Sequence, residues 1–162
     1  MTTKPQGLDH SGAHGAEPTG SVVIFTDITE EALEPLAVAV KAQVMTEAMG
    51  ALVVFDGIVR NHDHGSAVRG LSYSAHPQAK EYIARVVQSV ADELEGVRLW
   101  AVHRVGPIAI GESALTVLAA AAHRGRAFEA CEAVADRVKA QVPIWKEQEL
   151  TDGSTEWVGI DT

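Results

Sequence analysis

Apolar residues recur at three- and four-residue steps near the C-terminal end of the chain, at Phe128, Cys131, Val134, Ala135, Val138 and Val142. At about 100° per residue these positions form one stripe of a helix, and the stripe is expected to face a core. Lys139 falls roughly 80° from the centre of that stripe, at its border. Pro143 forbids a further helical turn and biases Val142 toward an extended backbone, so Ile144, Trp145 and Lys146 leave in a new direction. The pattern thus draws two lysines toward one place, from a helix end and from the strand behind it. At the other end of the helix, His123 and Arg124 sit where unpaired backbone N–H groups favour an anion.

The remaining pattern alternates strands with helices. Residues 21–27 (SVVIFTD) read as a strand, and residues 30–49 read as a helix ended by Gly50, with Pro35 in its first turn or dividing it. Residues 51–60 (ALVVFDGIVR) form a second apolar strand, in which Gly57 suggests a bulge. Strict alternation would put Asp56 and Arg60 on the face opposite Phe55; a bulge shifts the register beyond the glycine. After the polar NHDHGS stretch, residues 67–75 read as a strand pairing back on the previous one. Pro77 then opens a helix whose Ala79, Tyr82, Ile83, Val86, Val87, Val90 and Leu94 fit helical spacing, closed by Gly96. Residues 97–105 are a further strand, Gly106-Pro107 a turn, and residues 113–121 (SALTVLAAA) a strand apolar on both faces, hence covered on both, by helices or by another subunit. Residues 144–150 and 155–158 read as two short strands joined by the turn TDGS. Strands in hairpins interleaved with amphipathic helices give an α+β fold, an antiparallel or mixed sheet with helices packed on it.

Composition narrows the function classes. A chain of 162 residues at 46% hydrophobic supports one domain with a real core. Residues 1–20 show no periodicity and read as a disordered extension, leaving residues 21–162 as a single domain. A net charge of -9 argues against nucleic acid as a partner, because phosphate backbones are gripped by basic faces. Any anion must then be held by local positive charge. No run of 18 apolar residues exists and the first 20 residues lack an apolar signal core, so neither membrane span nor signal peptide is supported and a cytoplasmic location is expected. The single cysteine, Cys131, precludes an internal disulfide and reads as a buried small hydrophobe.

Several groups carry candidate chemistry. Lys139 and Lys146 stand at a stripe border and behind an aromatic; a lysine drawn partly out of water can exchange protons near neutrality or act as a nucleophile. The ordinary alternative is a pair of solvated rim lysines bonded to Asp136 or Glu147. Arg60, at a strand end beside a polar loop, offers a planar fork for phosphate or carboxylate, or is a surface charge. His62 and His64 flank Asp63, yet nothing nearby supplies further ligands at zinc spacing, and no metal site is assigned. The dipeptides His103-Arg104 and His123-Arg124 each end an apolar strand, as site residues or as imidazoles capping backbone carbonyls. Glycine patterns for dinucleotides or nucleoside triphosphates are absent, as are a serine elbow and a cysteine–histidine pair.

Taken together, Phe55-x-Gly57-x-Val59-Arg60-Asn61-His62, Leu71-x-Tyr73, His103-Arg104-x-Gly106, His123-Arg124-x-x-Ala127-Phe128-x-Ala130 and Lys139-x-x-x-Pro143-x-Trp145-Lys146 make a chain that resembles the large, catalytic subunit of molybdopterin synthase over roughly residues 20–158. The resemblance implies a hammerhead-like α/β arrangement and no resident cofactor. It implies a sulfurtransferase that builds the molybdopterin dithiolene on cyclic pyranopterin monophosphate, a pterin phosphate. Sulfur would arrive as a thiocarboxylate on the C-terminal Gly-Gly tail of a small ubiquitin-like partner, with a homodimer of large subunits carrying one small subunit at each end. Position by position, Lys139 matches the essential catalytic lysine and Lys146 the second pocket lysine. Arg60, His123 and Arg124 match residues that hold the substrate's phosphate and pterin, with Phe55 beside them. The first 20 residues depart from the family pattern. A different class of reading keeps the fold and the docking of a ubiquitin-like partner but makes the chain a non-catalytic scaffold.

Overall fold

The computed structural model describes residues 19–63 and 65–159, so nearly all of the extension expected over 1–20 lies outside the described residues. The element order is β1 (Val22–Thr29), α1 (Leu33–Val44), β2 (Ala51–Ile58), β3 (His62–Asp63), β4 (Ser66–Ala75), α2 (Ala79–Glu93), β5 (Arg98–Arg104), β6 (Gly106–Ile108), β7 (Ser113–Ala121), α3 (Arg124–Gln141), β8 (Ile144–Leu150) and β9 (Thr155–Val158). Four strands form one sheet in the order β1-β5-β7-β2, in which β1 and β5 run parallel and the other pairs antiparallel. The second, five-stranded sheet follows β3-β4-β8-β9, with β6 added on β4.

All nine residues of β7 are buried, because helices cover both faces of its sheet. Leu99 and Ala101 of β5, with Val117 and Ala119 of β7, pack against Ile83, Val87 and Val90 of α2 and Val134 and Val138 of α3. Trp100, Val102, Leu118 and Ala120 point the other way and pack under Leu33 and Val44 of α1. Large faces small across the strand pair, with Leu99 opposite Ala119 and Ala101 opposite Val117. The helices, not a second subunit, therefore supply the cover expected for this strand. Between the two sheets runs a narrow seam of Val59, Ile108 and Ala114, with Leu71 and Tyr73 against it.

Boundaries, pairings and one buried face differ from those read in the sequence, and the helix expected over 30–49 is confined to Leu33–Val44, stopping short of Gly50. The first helix begins at Leu33, so Pro35 lies in its first turn, where the missing N–H leaves no bond unmade. Its other end is held by Arg98, which donates from Nε to the Val44 carbonyl at 2.8 Å and from Nη2 to that of Gln43 at 3.0 Å. Strand β4 does not pair back on β2 but on the short β3 and, over most of its length, on β8. Gly106-Pro107 bends the chain, with Gly106 at φ 82°, yet continues as β6 along β4 rather than turning away. Phe128 leaves the expected stripe and is 59% exposed; the buried face of α3 is Ala127, Ala130, Cys131, Val134 and Val138.

The bulge expected at Gly57 is present as a register shift between Gly57 and Ile58. Asp56 pins it: its Oδ1 accepts hydrogen bonds from Ser113 Oγ at 2.9 Å and Thr116 Oγ1 at 2.6 Å. Because the bulge breaks the alternation, Phe55 and Arg60, an odd number of residues apart, reach the same cleft. The TDGS turn also forms as expected, closing the β8–β9 hairpin with Gly153 at φ 86°. Among the described residues no helix is long and apolar enough to cross a membrane.

Candidate active site

Pro143 ends α3 and redirects the chain into β8, and this change of direction frames a cleft of about 650 Å³. Its walls are the last turns of α3, the bulged end of β2 and the loop after it, and the inward faces of β4 and β8. Alternation along β8 aims Ile144, Lys146 and Gln148 at the cleft, opposite Ala75, Tyr73 and Leu71 of β4. Lys139, exposed on the last turn of α3, lines the same cleft, and so do Arg60 and Phe55. Four of the six residues singled out in the sequence thus meet in one place.

His123 and Arg124 do not join them within one chain. Both are exposed at the start of α3, with His123 at the N-cap position. The 15 residues from Arg124 to Lys139 span about 22 Å of helix axis. Arg124 stands in a first turn that carries no acidic residue, where the helix dipole opposes a cation.

Lys146 is paired with neither of the partners foreseen for a rim lysine. Its Nζ donates to Asp63 Oδ2 at 2.7 Å, and the two side chains are 21% and 11% exposed. Asp63 Oδ1 lies 3.5 Å from Nη2 of Arg60, whose side chain is largely in solvent. One carboxylate therefore spans a lysine and an arginine on the cleft wall. Asp136, on α3, is the other carboxylate lining the cleft.

Below these charges lie Tyr73 and His103, their rings edge to face with centroids 4.9 Å apart. Burial, and then the charge of Asp63, hold the Tyr73 phenol above its ordinary value. His103 is the structural imidazole of the two dipeptides: its Nδ1 bonds the Arg104 carbonyl at 2.7 Å. Burial pushes its pKa down to about 4, against the smaller upward effect of that bond. A histidine depressed in this way stabilises the fold above its unfolded value near 6.5, and the contribution is lost as pH falls toward 4. Urea midpoints are therefore expected to drop between pH 6.5 and 4, by up to about 3 kcal/mol of stability from this group. A His103→Gln variant, which cannot gain the proton, should show a flatter profile over that window; an equally steep one would remove His103 as the cause.

Asp63, Tyr73 and Gln148 are cleft residues that sequence reasoning did not place there. Asp63 was visible only as a metal-ligand candidate between two histidines, of which His64 lies outside the described residues and His62 bonds Asn61 Oδ1 at 2.9 Å. Tyr73 stood in a motif without a role. Gln148 is 2% exposed, and its Nε2 has no hydrogen-bond partner among the described residues. The signal that would have found it is its two-residue offset from Lys146 along a strand. Cys131 is buried on α3, and burial pushes its thiol up to about 11, with a backbone hydrogen bond at Phe55 offsetting part of the rise, so it behaves as a core residue.

Comparison with known proteins converges on one family. The family model described as MoaE protein matches residues 28–141. The molybdopterin synthase catalytic subunit 1 of Mycobacterium tuberculosis is 38% identical over 128 residues, 78% of this chain and 86% of the relative. The molybdopterin synthase catalytic subunit of Thermoplasma volcanium is 33% identical over 134 residues, 82% of this chain and 96% of the relative. Among solved structures, molybdopterin synthase from Staphylococcus aureus superposes with a TM-score of 0.74 at 31% identity, covering 82% of this chain and 95% of that one. A complex of subunits 1 and 2 of the molybdopterin-converting factor from Helicobacter pylori does so with a TM-score of 0.65 at 26% identity, covering 83% and 88%. The fold, the family model and relatives matched over most of their own lengths agree, and the chain belongs to the MoaE family of molybdopterin synthase catalytic subunits.

Proposed function

We propose that this chain transfers sulfur from the thiocarboxylated Gly-Gly tail of a small ubiquitin-like carrier to cyclic pyranopterin monophosphate, forming the molybdopterin dithiolene. The observation that carries the reading is the meeting of Lys139, Lys146, Arg60 and Phe55 in one cleft, from three separate elements. In a chain of net charge -9 the cleft gathers three cations, which is what an anionic substrate needs where the average field is repulsive. Cys131 is buried and its thiol is held protonated, so sulfur has to come from outside the chain. The Helicobacter pylori relative was solved as a complex of two subunits, which supports a small partner here. The relatives' description as catalytic subunits favours the enzyme over the scaffold.

In this mechanism Lys139 Nζ acts as general acid and base, or attacks the carrier's acyl carbon once the carrier's sulfur is bonded to the pterin. In that attack the C–N bond forms as C–S breaks, the thiolate stays on the pterin, and water then hydrolyses the acyl-lysine to free the carrier's carboxylate. Lys146 and Arg60 stabilise the negative charge that develops and hold the phosphate, while Phe55 covers the pterin. His123 and Arg124, about 22 Å along the helix from Lys139, serve the site of a second copy in a cytoplasmic homodimer with one small subunit at each end. The test combines the purified chain, the thiocarboxylated carrier and the cyclic precursor. Molybdopterin formation and co-elution with the carrier are the expected results. Co-elution without product, from folded protein supplied with both substrates, would leave a scaffold.

A further inference from the structure

The ion pair between Asp63 and Lys146 joins residues 83 positions apart, from the two-residue strand β3 to the middle of β8. Lys146 rises from the cleft floor on a flexible four-carbon stem, and an unanchored ammonium on such a stem samples several positions. Asp63 ends that freedom at 2.7 Å. A carboxylate only 11% exposed is tolerated because it is paired, and its second oxygen faces Arg60. It thereby holds together two cations that would otherwise repel each other. Among the described residues no ion pair joins Asp136, the other carboxylate of the cleft, to either lysine. The charge of Asp63 also reaches the cleft floor, where it acts on Tyr73.

We propose that Asp63 is a positioning residue for the reaction: its carboxylate fixes where the Lys146 ammonium stands in the cleft and aligns it with Arg60. This rests on the sulfur-transfer reading for its effect on turnover, but not for the pairing itself. Asp63→Asn keeps the size and removes the charge, while Asp63→Glu keeps the charge. In the assay with carrier and cyclic precursor, Asp63→Asn is expected to lower kcat by about 10- to 100-fold, the range a misplaced catalytic group costs. KM for the phosphate-bearing substrate should not rise, because the cleft gains a net positive charge. Asp63→Glu should recover part of kcat. In a Lys146→Ala background, Asp63→Asn should cost no more than about twofold, since the two residues act as a unit.

A second readout needs no turnover. Brief acylation of the full-length protein with acetic anhydride, followed by peptide mapping, reports how shielded each amine is. Asp63→Asn is expected to raise labelling of Lys146 at least about threefold while Lys139 stays unchanged, as release from an anchoring partner affects that partner alone. Unmoved labelling of Lys146, or a full kcat loss that persists in the Lys146→Ala background, would overturn the proposal. A wild-type protein that makes no molybdopterin would sink the sulfur-transfer reading, and the labelling would then decide the role of Asp63 by itself.

Discussion

Lys139→Ala is expected to lower molybdopterin formation by about 10²- to 10⁴-fold, the range attributed to a positioned proton-transfer group. The fold should survive. Lys139 is exposed on the last turn of α3 and is not among the buried residues of that helix, so the expected loss is its favourable interaction with the helix dipole, about 0.3–1 kcal/mol. Activity and stability therefore separate at this position, and a urea melt beside the turnover assay shows it. Lys139→Arg sharpens the result. Arginine keeps the charge but does not release its proton near neutrality, so it should remain inactive if Lys139 moves protons or attacks carbon, and recover if only charge is needed. Turnover of the alanine variant within about threefold of wild type, outside the range of general acid–base loss, would remove Lys139 from the chemistry.

Trp100→Ala carries the largest expected cost to stability, about 3–5 kcal/mol, as for other buried aromatics cut to a methyl group. Trp100 is 3% exposed on the central strand β5, and its ring fills the space between the sheet and α1. The cluster on that side has five buried members besides Trp100, fewer than the cluster under α2 and α3, so little can move in to close the hole. The urea midpoint should fall accordingly, with α1 loosening first as judged by hydrogen exchange across Leu33–Val44. A change below about 1 kcal/mol, roughly what a single buried methylene is worth, would mean that α1 is not held by this face.

What was legible in the sequence was local chemistry; what was not was long-range pairing. Strand β7 was readable residue for residue because nine consecutive small and branched residues leave no polar face. The β8–β9 hairpin was readable because Asp152-Gly153 supplies the turn. The register break at Gly57 is also legible, and with it that alternation does not carry past the glycine; that Arg60 then lines the same cleft as Phe55 is seen only in the fold. By contrast, the partner of β4 depends on a strand some 70 residues later, which no local signal encodes. Gly106-Pro107 shows the same limit, since the bend was legible and the strand that catches it was not. Phe128 was placed in the stripe on hydrophobicity, although the alanines at 127 and 130 are what allow α3 to lie close to its neighbours.

For the site, the two lysines were found through a stripe edge and a proline, both local features. Asp63 escaped because its meaning depends on β8 passing nearby, and Gln148 because a strand's inward face is known only once its sheet is known. His123 and Arg124 were correctly set at a helix start, and only the length of α3 shows how far that is from Lys139.

Lys139 rides on a helix docked to the four-stranded sheet, and Lys146 on a strand of the five-stranded one. The gap between their amines is accordingly dictated at second hand, by the thin aliphatic joint of Val59, Ile108 and Ala114 where one sheet rests on the other. A methylene gained or lost in that joint would shift one amine relative to its companion without touching either. Divergence in reactivity among descendants of this chain can thus be written in three greasy positions, with every polar group left in place.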